Sequence, residues 1–115
     1  MKSINETIKT QLAHRTIREF KDQKITHEDF NLLMEVARRT ATSTGMQACS
    51  IIRITDPELK SKIAGICNQE YVARAPELLI FIVDLYRNYQ IAKEKGYSAG
   101  TANDMDRFFA AFTDA

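Results

Sequence analysis

The chain has 115 residues, long enough for one modest core and too short for two domains, with 44% hydrophobic residues in the ordinary globular range. Sixteen Lys and Arg stand against 15 Asp and Glu, which argues against general nucleic-acid binding, where a marked basic excess is the rule. The longest apolar run, Leu78–Val83, is strand-sized and far short of the roughly 20 residues a spanning helix needs.

In chain order, Ser3 and Glu6 have capping-box spacing, and Ile4, Ile8 and Leu12 then recur every fourth residue, predicting a first helix. The charged stretch His14–Lys24 breaks that period. Thr26 with Asp29 repeats the cap, and Phe30, Leu33, Val36 and Ala37 predict a second helix. Ala41–Ser50 is aperiodic and rich in hydroxyls, and Ile51–Ile54 predicts a short strand. Asp56-Pro57 opens a third helix, with Asp as N-cap and Pro at the first helical position. Leu59, Ile63, Ile66 and Cys67 are its expected buried face, and Asn68 its stop. The run Leu78–Val83 predicts a strand covered on both faces. A helix from Leu85 to Lys95, stopping at Gly96, follows. Asn103, Asp104 and Asp106 then place acceptors at the start of a last helix, where the dipole favours them. Phe108, Phe109 and Phe112 form its aromatic face, which the two short strands are expected to leave uncovered, and Asp114 sits where a helix end prefers a cation.

Three groups of residues are chemically suggestive. In His14-Arg15-Thr16-Ile17-Arg18, two guanidiniums flanking a hydroxyl can converge on one phosphate dianion through paired, charge-assisted hydrogen bonds. In Thr42-Ser43-Thr44-Gly45-Met46-Gln47, small hydroxyl residues and a glycine allow close approach to a flat ligand edge. In Asn68-Gln69-Glu70-Tyr71, carboxamides can read the donors and acceptors of a heterocycle. Taken singly, each also describes ordinary surface: a solvated charged stretch, a polar connecting loop, a helix-ending turn. Cys49 and Cys67 lack CxxC spacing and are expected as free thiols in a cytoplasmic protein. His14 and His27 have no ligand spacing to them, so no metal site is expected.

Together, in this order, the motifs resemble the nitroreductase family. His14-Arg15-Thr16-Ile17-Arg18-Glu19-Phe20 is similar to the family's opening His-Arg-Ser-x-Arg-x-Phe signature, and Thr42–Gln47 to its hydroxyl-rich loop ending in Gln. Ser50–Asp56, the Gln69-to-Pro76 segment and the strand ending at Asp84 continue the pattern, which is nearest the oxygen-insensitive NADPH nitroreductase and flavin reductase branch. The resemblance implies an α+β fold, a mixed sheet with flanking helices, of which residues 1–115 form the N-terminal part of a single FMN-binding domain. It further implies FMN at the interface of a homodimer, NAD(P)H as reductant, and nitroaromatics, quinones or similar small molecules as acceptors in a ping-pong cycle. His14, Arg15, Thr16 and Arg18 would contact the flavin phosphate, ribityl chain and pyrimidine edge. Gln69 and Tyr71 would lie near the ring system. Ser43, Thr44, Gly45 and Gln47 would reach the flavin from the partner subunit. Thr16 replaces the usual Ser, and Gly45 stands where relatives often carry Asn or an aromatic residue. Since the cofactor carries the hard chemistry, no catalytic nucleophile or triad is expected. The competing expectations are a catalytically inactive product of a shortened reading frame, or a small α/β interaction domain.

Overall fold

In the computed structural model, residues 5–98 and 104–115 are described. The elements run α1 (Glu6–Leu12), α2 (His27–Arg38), β1 (Cys49–Arg53), α3 (Pro57–Cys67), α4 (Tyr71–Arg74), β2 (Leu79–Val83), α5 (Leu85–Glu94) and α6 (Met105–Asp114). β1 and β2 form a two-stranded antiparallel sheet in which Cys49 pairs with Val83 and Arg53 with Leu79.

Local chemistry sets most boundaries. Thr26 caps α2 by accepting from the Asp29 amide at 3.0 Å, and Asp56 caps α3 at the Glu58 amide at 2.9 Å. Asn68 ends α3 in the left-handed conformation, φ 53°, and Gly96 follows α5 at φ 74°. At the first helix Asn5 accepts from the Ile8 amide, and Glu6 is the first helical residue. Ser3, Ile4 and Asn103 lie outside the described residues. α4 was not foreseen, because a single turn is too short for periodicity to register.

The core is thin, which corrects two expectations. Among the described residues only Ala48, Ile54, Ala64 and Ala111 are buried hydrophobics. On α3 it is Ala64 that is covered, with Ile63 half-buried, whereas Leu59, Ile66 and Cys67 are exposed, Ile66 to 85%. β2 is not covered on both faces either, since Ile80 and Phe81 reach solvent. An apolar run states what a strand can bury; the elements stacked on it decide what it does bury. The faces of α1 and α2 are also open at Leu12, Leu33 and Val36, and on α6 Phe108, Phe109 and Phe112 pack on one another yet stay 43%, 60% and 65% exposed. The chain exposes 9874 Å², against about 6400 Å² expected of a compact monomer of its mass. Its radius of gyration is 18.2 Å, where roughly 13 Å is usual for this length.

One polar staple ties α2 to the sheet and to the α4–β2 connection. Arg53 donates to both oxygens of Glu77, at 2.8 and 2.6 Å, and stacks its guanidinium 3.9 Å from the Phe30 ring centre. That bond holds the Glu77 carboxyl below the usual carboxylate range, and a hydrogen bond from Ser50 together with the Arg87 amide does the same for Asp84. Because both folded values are depressed, their stabilising contribution is complete above the unfolded carboxylate values. It is lost as pH falls through the lower folded ones. Thermal melts should therefore show stability dropping from about pH 5 downward, with a shallower acid slope in a Glu77→Gln, Asp84→Asn double variant. An unchanged slope in that variant would contradict the assignment.

Candidate functional site

The segment from His14 to Phe20 follows α1 without regular structure and is exposed throughout. It is anchored at two points on α4. Arg18 lies over the Tyr71 ring at 6.0 Å from its centre, and Arg74 pairs with Glu19 at 3.2 Å. The Tyr71 hydroxyl donates to the Gln69 Oε1 at 2.7 Å. Arg18 from the first motif and Gln69 and Tyr71 from the third thus form one cluster. Arg15 donates to its neighbour's carbonyl at His14, 2.9 Å away. Among the described residues neither Arg15 nor Arg18 forms an ion pair. Their charge, the Thr16 hydroxyl and the Gln69 amide N–H groups therefore face solvent with donors to spare.

The second group is built by the connection from α2 to β1. Gly45 turns at φ 68° and Gln47 at φ 47°. A side-chain Cβ at Gly45 would meet nothing within 4 Å, so its glycine serves the left-handed backbone, which Asn also tolerates. Gln47 has no such freedom, and a non-glycine residue there costs about 1 kcal/mol or more. The turn is held from three sides. Arg87 donates to the Gln47 carbonyl, to the Cys49 carbonyl at 3.1 Å and to the Ser50 hydroxyl at 2.8 Å. Asn88 donates to the Met46 carbonyl at 2.8 Å. Asp114, the residue expected to sit awkwardly at a helix end, instead accepts from the Ser43 amide at 3.0 Å and hydroxyl at 2.6 Å. Sequence inspection missed Arg87, Asn88 and Asp114, because their partners lie 37 to 71 residues away and no short motif encodes them.

Two open cavities flank this loop. One of about 490 Å³ runs from the end of α2 past Thr42, Gln47 and Phe81 to Ile91; the other, about 340 Å³, lies between Thr44, Met46 and α6. Neither is lined by His14, Arg15, Thr16, Arg18, Gln69 or Tyr71. One chain thus presents two groups of candidate site residues and does not join them in either cavity.

The family model described as "Nitroreductase family" matches residues 12–105, spanning both groups. The chain belongs to the nitroreductase family. It is 39% identical over 114 residues to the FMN reductase (NADPH) of Bacillus subtilis, covering 97% of this chain and 46% of that protein. Similarity to the oxygen-insensitive NADPH nitroreductase of Salmonella typhimurium is 35% over 92 residues, 79% of this chain and 38% of the relative. Among solved structures, a nitroreductase from B. subtilis superposes with a TM-score of 0.88 at 38% identity, covering 96% of this chain and 45% of that one. The NADPH:FMN oxidoreductase from Vibrio harveyi, solved in complex with NAD+, superposes at 0.75 with 30% identity, covering 96% and 49%. The α+β family fold expected from the sequence is thereby found. The chain spans about half the length of the curated relatives it matches.

Proposed function

We propose that this chain contributes to an FMN-dependent oxidoreductase of the cytoplasm, passing electrons from NAD(P)H to nitroaromatics, quinones or similar acceptors in a ping-pong cycle. The observation that carries this reading is the Arg18–Tyr71–Gln69 cluster beside an Arg15 and Thr16 without acidic partners among the described residues. The donor set fits the cofactor. Two guanidiniums and a hydroxyl suit a phosphate dianion, and Gln69, its oxygen engaged by Tyr71, keeps both amide hydrogens for ring acceptors.

In this reading His14, Arg15, Thr16 and Arg18 hold the phosphate, ribityl and pyrimidine end. The Tyr71 ring keeps the Arg18 guanidinium oriented, and Gln69 and Tyr71 border the ring system. Bound FMN would supply the acceptance of hydride and the onward transfer of electrons. The protein's own share is orientation and electrostatics.

The partner in this reading is a second copy. Ser43, Thr44, Gly45 and Gln47 would then meet the partner's flavin, which agrees with the arginine segment lining neither of the cavities beside that loop. The excess of exposed surface supports it too: obligate homodimers hide roughly 2000–5000 Å² in total, largely apolar. The test is the visible spectrum of the purified chain after incubation with FMN and gel filtration, followed by NADPH oxidation with a quinone present. Retained flavin absorbance and turnover are expected. A chain that stays colourless at saturating FMN overturns the reading.

A further inference from the structure

The strained Gln47 is held by a residue outside every site motif. We propose that Arg87 is a positioning residue, setting the Gly45–Gln47 turn in the conformation that receives the flavin. This rests on the functional reading above, and the mechanism it adds is visible in the hydrogen bonding. Arg87 sits in the first turn of α5, where its amide donates to the Asp84 side chain at 3.1 Å. The other Asp84 oxygen accepts from the Ser50 hydroxyl, and that hydroxyl oxygen accepts from Arg87 at 2.8 Å. The guanidinium is thus fixed at its root by the helix cap and at its tip by β1. From there it spans Cys49 and Gln47 and captures the carbonyl of the very residue whose φ is 47°.

A planar fork of five donors suits this task, because one rigid group satisfies three acceptors in a fixed geometry. An ammonium in its place is a point donor that could serve one or two. Asn88, on the same helix turn, fixes the Met46 carbonyl and so extends the grip by one residue. The consequence is functional. With two carbonyls of the turn turned toward α5, the side chains and amides of Ser43–Gln47 are oriented as a set.

The experiment compares the full chain with Arg87→Met, Arg87→Lys and, as a control of equal chemistry elsewhere on β1, Arg53→Met. Two quantities are read: hydrogen exchange of the amides from Ser43 to Ala48, and the FMN dissociation constant. Arg87→Met should exchange at least about tenfold faster in that loop while the α3 amides change little, and should bind FMN about tenfold more weakly. Arg87→Lys should recover part of both. Arg53→Met should lower global stability and leave the loop's relative exchange and the FMN affinity unchanged. Loop exchange unaltered in Arg87→Met, or altered equally in Arg53→Met, overturns the positioning role. Should the parent chain fail to bind FMN, the functional reading falls while the exchange data still decide whether Arg87 orders the turn. Faster loop exchange with unchanged FMN affinity in Arg87→Met rejects its role in binding.

Discussion

Replacing Arg15 and Arg18 together with alanine should weaken FMN binding by about 100-fold or more. Hydrogen bonds to a charged group contribute about 1.5–3 kcal/mol each, and two guanidiniums acting on one dianion are removed at once. Among the described residues neither side chain is engaged in an ion pair, and both residues are exposed, so the fold should lose little by the change. Surface substitutions of this kind usually stay within about 0.5 kcal/mol. Arg18 does rest against Tyr71; an exposed stack of that sort is worth about 0.5–1 kcal/mol, too little to unfold the chain. A fluorescence titration with free flavin, beside a thermal melt, separates the two effects. Unchanged affinity would return the segment to ordinary solvated surface.

The second large effect is in the core. Ile54→Ala should destabilise by about 2–5 kcal/mol, the range for truncating a buried isoleucine. Ile54 is 7% exposed and is the one large side chain among the buried hydrophobics of the described residues; the others are alanines. Its amide donates to the Leu78 carbonyl at 2.9 Å, so it also seats the end of β1 beside the entry to β2. Total stabilities of about 5–15 kcal/mol are usual for whole domains, and a chain with so little covered surface belongs at or below the lower end. The truncation should therefore remove most of the cooperative melt. Ile66→Ala, at 85% exposure, should shift stability by no more than about 0.5 kcal/mol. Equal effects at the two positions would contradict the burial of Ile54 and the exposure of Ile66.

Much of the architecture was legible before any coordinates. Thr26, Asp56 and Asp104 cap helices because a short side-chain acceptor reaches an amide two or three residues on. That is local geometry, and sequence states it directly. The same holds for Asn68 and Gly96, which accept a left-handed backbone where a helix must end. The arginine segment, the glycine turn and the carboxamides were recognisable as types of donor in a given order, and that order identifies the family.

What the sequence could not decide is how much of each apolar face would be covered. Ile66 and Ala64 both lie on α3, and periodicity cannot tell which one meets a neighbour. Only packing settles that, and it covers the alanine. Only the tertiary structure puts Arg18 on the Tyr71 ring, with Tyr71 bonded to Gln69, and leaves the hydroxyl loop beside cavities that none of the three lines. Arg87, Asn88 and Asp114 left no trace in their own neighbourhoods, since the carbonyls and hydroxyl they hold lie dozens of residues away. Caps, turns and donor chemistry are properties of neighbours in the chain. The grip on a strained glutamine, and the isoleucine that the core closes over, belong to neighbours in space.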